Sequence, residues 1–476
     1  MSDKTLPFIV WNAAAAADAT QGRPVGDWHA TGVSIDTRTI KSGDLFVAIQ
    51  GLQSDGHAYA QTALDRGAAA VVVVEGSDAV AADAPTVRVI DTTRALEDLG
   101  RAARKRSRAK IAAVTGSVGK TGSKDALAVA FCRQGIVHAS EGNLNNHWGL
   151  PLTLARMPVE ASLAILEMGM NHPGEIRPLT KMARPHVALI TTIEQVHSEY
   201  FSSIEDIADA KAEIFEGLEA GGAAVLNLDN AMYGRLAGRA RDCGVERIVS
   251  FGKTDGADVR LLDACLDAGG SCVTADVLGE EIRYRIGVPG RHWVMNTLGV
   301  LAVAAAMGLD LGVSSAMMAR LNPPRGRGDR TEIKLPDGTF TLIDESYNAS
   351  PAAMNAAFGV LAMAEPADGG RRIAVLGDML ELGDTAHSLH RQLAVPLEKS
   401  GVQKVYAAGP AMACLFEALP DDLQGAHADA SDMLTPIVAK VVRPGDVVLV
   451  KGSYGSRMTR VVDALKALGQ SNGNGE

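Results

Sequence analysis

Aromatic residues are scarce in this chain of 476 residues, at 4%, while alanine, glycine and valine abound. That balance suits strands alternating with helices of small residues. Cysteine is also rare: Cys132, Cys243, Cys265, Cys272 and Cys414 form no CxxC pair, and their odd count and loose spacing exclude a disulfide scaffold. Reduced thiols in a cytoplasmic protein are the expectation. Positive charge is in deficit, with a net charge of −10. A nucleic-acid binder would carry a basic stripe. The single basic block, RAARKRSRAK at 101–110, precedes an apolar strand and reads as a solvated helix end or linker. Long apolar runs are missing too. LGVLAVAAAMGL at 298–309 is too short to span a bilayer and reads as a core helix. The opening MSDKTLPFIV has no apolar core of the kind a signal peptide needs. No nucleic-acid partner and no membrane span are therefore expected.

What is present organises the chain as α/β in three domains. Residues 1–105 hold GDLFVAI and AAAVVVVE as strands around the helix HAYAQTALDRG, a small α/β domain. Residues 106–320 hold IAAVTG, SLAILEMG, HVALITTI and AAVLNLD, strands alternating with helices, and end in a helix from Trp293 to Met307. This pattern predicts a mainly parallel sheet with ligands at the carboxyl ends of its strands. NPPRGRGDR at 322–330 is a hinge candidate. Residues 321–476 hold RRIAVLGDM, VQKVYAAGP and GDVVLVKGS as strands and SLHRQLAVPLEKSG as a helix, a Rossmann-like layer.

The chemistry begins at TGSVGKTGSK, 115–124, between a strand and a helix. A loop with Gly116, Ser117 and Gly119 aims backbone N–H groups and a helix N-terminus at phosphates. Lys120 reaches the terminal phosphates and Thr121 suits magnesium. The full GxxxxGK[ST] pattern is not met, because Val114 stands where its first glycine belongs. The context of strand, loop and helix makes this a P-loop for a nucleotide. LAILEMG then places Glu167 at the end of one strand, and VALITTIEQVH places His197 just past another. Each alone has a plain reading, Glu167 as an ion-pair partner and His197 as a loop residue. In a parallel sheet both open on the edge that carries the phosphate loop.

IEDIADAKAEIFEGL, 204–218, is an amphipathic helix whose apolar face carries Lys211 at its centre. One reading lets the stem pack and the ammonium snorkel to water. The other uses burial, which favours the neutral amine. That amine can add carbon dioxide, and the carbamate is an anionic oxygen ligand for magnesium.

Over nearly its whole length the chain resembles the Mur ligase family. SIDTRTIKSGDLFVAIQG, TGSVGKTGSK, GNLNNHWGLPLTL, EMGMNHPGEI, AKAEIFEGL, GRHWVMNTLGV, DESYNASPAAMNAA, LGDMLELG and KGSYGSRM carry the resemblance, in order. Within the family it is nearest to members that join D-alanyl-D-alanine to a UDP-N-acetylmuramoyl-tripeptide in peptidoglycan precursor synthesis. The resemblance implies ATP and Mg2+ as cofactors, an acyl phosphate intermediate and a monomer. It implies that residues 1–105 bind the UDP substrate, 106–320 bind ATP and 321–476 complete the ligase. Lys120 and Thr121 would serve the phosphates, with Glu167 as a metal ligand. His197 and a carbamate on Lys211 would hold a second magnesium. Asn296 would contact adenine, Arg327 the phosphates and Asp344 the ribose. Asn143 and Asn145 would lie near the reacting centre, and Ser34, Asp36 and Arg38 would meet the uridine nucleotide.

Several letters depart from the family pattern. Gly122 and Ser123 stand where two threonines are common, and Trp293 where asparagine is common. Glu345 and Ser350 replace a common aspartate and asparagine. Two rival readings are a sibling ligase that adds the third amino acid and a P-loop NTPase switch. The first lacks its DNPR-type motif here. The second would need neither Lys211 in an apolar stripe nor a uridine-nucleotide domain.

Overall fold

The computed structural model describes residues 8–51, 54–195, 199–324 and 326–470. Each of its large sheets draws its strands from one of the three segments read from the sequence.

The first sheet has five strands, in the order Arg23–Val25, Thr86–Val89, Ala70–Val74, Asp44–Val47 and Gly32–Ser34. Its last helix, Thr92–Arg106, starts where the Asp91 carboxylate accepts from the N–H groups of Thr93 and Arg94, satisfying donors that have no partner within the helix. The basic block lies partly at the end of this helix, and it is not simply solvated. Arg104 is buried and donates to the carbonyls of Ala183 and Arg184 while pairing with Glu219. Arg106 donates to the Val10 carbonyl and lies over the Trp11 ring. Two of these guanidiniums therefore tie elements together, because a planar fork of donors can satisfy several carbonyls at once.

The central sheet has nine strands. Lys110–Thr115 lies between Leu163–Glu167 and Val187–Ile190, all parallel, with Val137–Ala139 beyond the first and Ala223–Asn227 and Arg247–Gly252 beyond the second. The chain leaves Lys110–Thr115 towards one edge and later returns to its other side. That reversal opens a crevice at the strands' carboxyl ends. Both faces are covered, which is why IAAVT reads as an unbroken apolar run. Three further strands, Val259–Asp267, Gly270–Val277 and Glu280–Ile286, extend the sheet as an antiparallel meander that the sequence reading did not anticipate. The expected core helix is present as Arg291–Met307 and ends at Gly308 in the left-handed conformation.

The third sheet runs Asp329–Leu335, Gly338–Glu345, Val447–Lys451, Arg372–Gly377, Lys404–Ala408, Gln424–Ala428, parallel except for the first pair. SLHRQLAVPLEKSG forms two short helices, Ala386–Arg391 and Ala394–Lys399, rather than one. The helix expected over 204–218 is α-helical for Ile204–Ala212 and tightens to a 3-10 turn over Glu213–Gly217. No described helix is long and apolar enough to cross a membrane.

Candidate active site

The loop after Lys110–Thr115 turns through Gly116 and Gly119, both at positive φ (146° and 84°), and feeds the helix Lys120–Phe131. At Gly119 a side chain is excluded twice: the backbone is left-handed, and a Cβ would lie 2.8 Å from the Asn296 Oδ1. Asn296 is thereby pressed against the phosphate loop. Ser117 Oγ donates to the Glu194 carbonyl and accepts from the Glu194 N–H, both at 3.0 Å. Lys120 Nζ folds back on its own loop, donating to the carbonyls of Gly116 (2.7 Å) and Ser117 (3.3 Å). Burial, the largest cause, lowers its pKa; the Glu167 charge opposes this and Arg327 adds to it.

Glu167 closes its strand almost fully buried, at 1% exposure. Its Oε1 accepts from Asn145 Nδ2 at 2.7 Å and from the Thr121 hydroxyl at 3.3 Å. Its Oε2 is buried with no hydrogen-bond partner. A buried carboxylate oxygen without a donor is costly, and a cation beside Thr121 and Glu167 would satisfy it. A hydroxyl and a carboxylate are hard oxygen donors of the kind magnesium takes, so the residues fit that ion. Among the described residues no cluster of three or more His, Cys, Asp or Glu side chains forms a metal site. His197 lies outside the described residues.

Lys211 is 1% exposed, so the snorkelling alternative fails. Its pKa is pushed well below the usual lysine value, first by burial and then by the charge of Lys120. The apolar stripe of its helix explains this: Ile207, Ala208, Ile214 and Phe215 are buried around it.

A cavity of about 530 Å³ lies between the central and third domains. The central domain supplies Ser117, Gly119, Lys120, Thr121, Glu167 and Asn296, together with Asn143 and Asn145. The expected residues of the ATP edge thus converge. Arg327 also lines the cavity, its guanidinium 4.5 Å from the Tyr347 ring centre. A larger groove of about 720 Å³, on the third domain beside helix Pro351–Met363, offers no phosphate loop and no carboxylate.

Asp344 is not where it was expected. Its carboxylate turns from the cavity, accepts from the Ser346 N–H (3.1 Å) and hydroxyl (2.6 Å), and lies 4.0 Å from Lys466. Side chains alternate across a strand, so the neighbouring Glu345 lines the cavity instead. There it pairs at 3.1 Å with Lys451, which also donates to the Asn348 carbonyl at 2.9 Å. Sequence reasoning passed over Lys451, although it closes the apolar strand VVLVK as Glu167 closes LAILE. It also passed over Tyr347 and His292, for which no spacing signal existed. Gly116 contributes its carbonyl to Lys120 and is not itself a lining residue.

Two departures from the family pattern fit each other. Trp293 is buried, and a Cβ on Gly122 would meet its ring at 3.0 Å. The glycine makes room for the indole. Ser350 serves locally, its hydroxyl accepting from the Ala353 N–H to start helix Pro351–Met363. Ser34, Asp36 and Arg38 form a separate group in the first domain. Ser34 Oγ donates to the Asp36 carbonyl, and Asp36 takes two donors from the Arg38 side chain, which holds its carboxyl below the usual range. They do not line the cavity.

Three family models match: the Mur ligase family catalytic domain over 29–104, the Mur ligase middle domain over 114–304, and the Mur ligase glutamate ligase domain over 329–454. The UDP-N-acetylmuramoyl-tripeptide–D-alanyl-D-alanine ligase of Rickettsia prowazekii is 32% identical over 96% of this chain and 99% of its own length. The chain belongs to the Mur ligase family. The Escherichia coli ligase of the same name is also 32% identical, over 92% of this chain and 94% of its own. Among solved structures, MurF from Acinetobacter baumannii superposes with a TM-score of 0.82 at 27% identity, over 97% of this chain and all of that one. MurF ligase from Thermotoga maritima, crystallised with ADP, superposes at 0.74 with 26% identity, over 93% and 98%. The cavity is lined by residues from the ranges matched by the middle-domain and glutamate-ligase-domain models.

Proposed function

We propose that this Mur ligase joins D-alanyl-D-alanine to a UDP-N-acetylmuramoyl-tripeptide at the expense of ATP, in peptidoglycan precursor synthesis. The observation that carries the reading is the convergence of the phosphate loop, the half-unsatisfied Glu167, Asn296 and Arg327 on one interdomain cavity. The relatives' names supply the substrates.

In this reading the tripeptide carboxylate attacks the γ-phosphorus of ATP and ADP leaves. The amine of the dipeptide attacks the carbonyl carbon of the acyl phosphate. The carbon–oxygen bond to phosphate breaks, inorganic phosphate departs, and the amine nitrogen loses a proton. The demand on the protein is alignment and charge neutralisation. The loop N–H groups from Ser117 to Thr121 cradle the phosphates. Lys120, freed from the Gly116 and Ser117 carbonyls, neutralises the transferring group. Arg327 approaches the phosphates from the third-domain side. Asn296 meets the adenine. Glu345, with Lys451, takes the ribose role first assigned to Asp344. Asn143 and Asn145 border the reacting centre, and Asn145 also orients Glu167. Ser34, Asp36 and Arg38 hold the uridine nucleotide. Thr121, Glu167, His197 and a carbamate on Lys211 would hold magnesium, which neutralises phosphate charge. Lys211 is suited to the carbamate because its amine is buried, and burial together with the Lys120 charge disfavours its charged form.

Incubation with ATP, magnesium, D-alanyl-D-alanine and UDP-muramoyl tripeptides ending in diaminopimelate or in lysine tests this. Mass spectrometry should find the pentapeptide and one phosphate per product. Joining of single amino acids while the dipeptide is ignored would favour the sibling ligase. Phosphate release without any amine would favour an NTPase switch.

A further inference from the structure

LGDMLELG leaves the carboxyl end of strand Arg372–Gly377 as a loop, residues 378–382, whose backbone is stapled from three sides. The Asp378 carboxylate accepts from the N–H groups of Met412 (2.8 Å) and Ala411 (3.3 Å). Ser453 donates its N–H to the Asp378 carbonyl and accepts from the Leu380 N–H at 3.0 Å. The Met379 N–H donates to His390 Nε2 at 2.9 Å. Directly after these staples Glu381 holds a positive φ of 62°, a strained conformation for a residue with a side chain, which survives only where its surroundings enforce it.

His390 is fully buried. Its Nδ1 is 2.6 Å from the Ala386 carbonyl. A carbonyl can only accept, so Nδ1 carries a proton. A backbone N–H can only donate, so Nε2 must be bare. Both nitrogens are thus specified, and a second ring proton would point at the Met379 N–H. The loop is in turn coupled to the cavity. Leu380 is 45% exposed and lies against Gly455. The adjoining Tyr454 meets Tyr347 in a tilted ring contact, centroids 5.9 Å apart, and Arg327 lies over the Tyr347 ring. Of this chain of contacts Tyr347 and Arg327 line the cavity, across from the phosphate loop, and the substrate that would meet this side in the ligase reading is the amine, a small dipeptide with two methyl groups.

We propose that His390 is a positioning residue: its neutral ring holds the 378–382 loop, and through Leu380 and Tyr454 that loop backs Tyr347 on the third-domain wall, where the amine substrate docks, so that protonating the ring loosens the wall. The docking half rests on the ligase reading; the hold on the loop does not. The groups facing the ring are few. Asp378 stands 4.0 Å away and favours a charged ring, while His387 on the same helix disfavours it. The neighbouring helix Met412–Phe416 brings Met412 and Leu415 to the core. Burial outweighs both charges, and the His390 pKa is lowered.

The test compares wild type with His390→Gln, whose amide oxygen can accept from Met379 but cannot titrate. The first readout is hydrogen exchange of the peptide spanning 378–382, corrected for intrinsic rates, from about pH 8 down to about pH 5, which spans the histidine range. Wild type should lose about tenfold protection on acidification, the scale of one buried hydrogen bond, while His390→Gln stays flat. The second readout is the KM for D-alanyl-D-alanine. It should rise on the acid side in wild type more than in the variant, with KM for ATP moving equally in both. Equal protection across the range in wild type would overturn the proposal, and so would an acid-side loss of the same size in both proteins. If His390→Gln does not fold, the wild-type exchange profile alone decides. If no dipeptide is ligated under any condition, the ligase reading fails while the exchange result still judges the hold on the loop.

Discussion

The two walls of the cavity are built on opposite principles. On the central-domain side the functional groups await a ligand: Glu167 Oε2 is buried without a donor, Lys120 is held only by carbonyls of its own loop, and Lys211, which does not itself line the cavity, is buried with its charged form disfavoured. On the third-domain wall the polar groups already satisfy one another. Lys451 holds Glu345 and the Asn348 carbonyl at the cavity, and away from it Asp344 holds Ser346 and Asp378 holds two N–H groups. Unsatisfied buried groups are a cost that a bound ligand can remove. The difference teaches that the first wall is arranged for phosphate and metal chemistry and the second for shape. Substitutions should therefore cost turnover on one side and stability or positioning on the other.

The largest effect should follow Lys120→Ala. Losing a charge at the transferring phosphoryl group should raise the barrier by at least ~3 kcal/mol, about a hundredfold in kcat, with the melting temperature unchanged. Activity within a few-fold of wild type would remove Lys120 from the chemistry. Lys211→Ala should fall comparably, and acetate should restore part of the rate by supplying an oxygen ligand. Lys211→Arg should stay inactive, because a guanidinium keeps the wrong charge. A steady-state assay with and without acetate separates these outcomes.

On the opposite wall, Lys451→Met should destabilise the fold by about 3 kcal/mol, since it strands a largely buried carboxylate. Adding Glu345→Leu should recover most of that loss in a urea titration. No recovery would mean the pair is not a self-contained unit. Asn145→Ala removes a donor from the Glu167 carboxylate and should cost about 1.5 kcal/mol or more in kcat/KM, with little change in melting temperature.

The smallest effect concerns acid. His138, His186, His292 and His390 all have lowered pKa values, each chiefly from burial. The unfolded chain therefore binds more protons than the folded one as pH falls below the ordinary histidine value. Their contribution to stability is present above that value and declines as pH drops towards the folded pKa values. Urea midpoints should fall on acidification through this window, and a flat profile would contradict the burial of these rings.

Much of the first wall was legible in the sequence because strand, glycine loop and helix are contiguous there, and because Lys211 breaks an apolar stripe. The second wall was harder to read. Asp344 and Glu345 are adjacent letters, and only the phase of the strand decides which one faces the cavity. Lys451 reaches Glu345 across 106 residues, a separation that no local pattern reports. The meander from Val259 to Ile286 was missed because its half-buried strands interleave polar residues with core ones and so show no apolar run. Arg104 looked solvated because its partners, Ala183, Arg184 and Glu219, are distant in sequence.

The central claim is that this cavity makes an amide through an acyl phosphate. It is tested most directly with a UDP-muramoyl tripeptide whose reacting carboxylate carries oxygen-18. Attack of that carboxylate on ATP, followed by displacement by the amine, transfers one labelled oxygen to inorganic phosphate for each amide formed. Phosphate bearing that single label, produced only with D-alanyl-D-alanine present, is the predicted result. Unlabelled phosphate accompanying amide formation would contradict it.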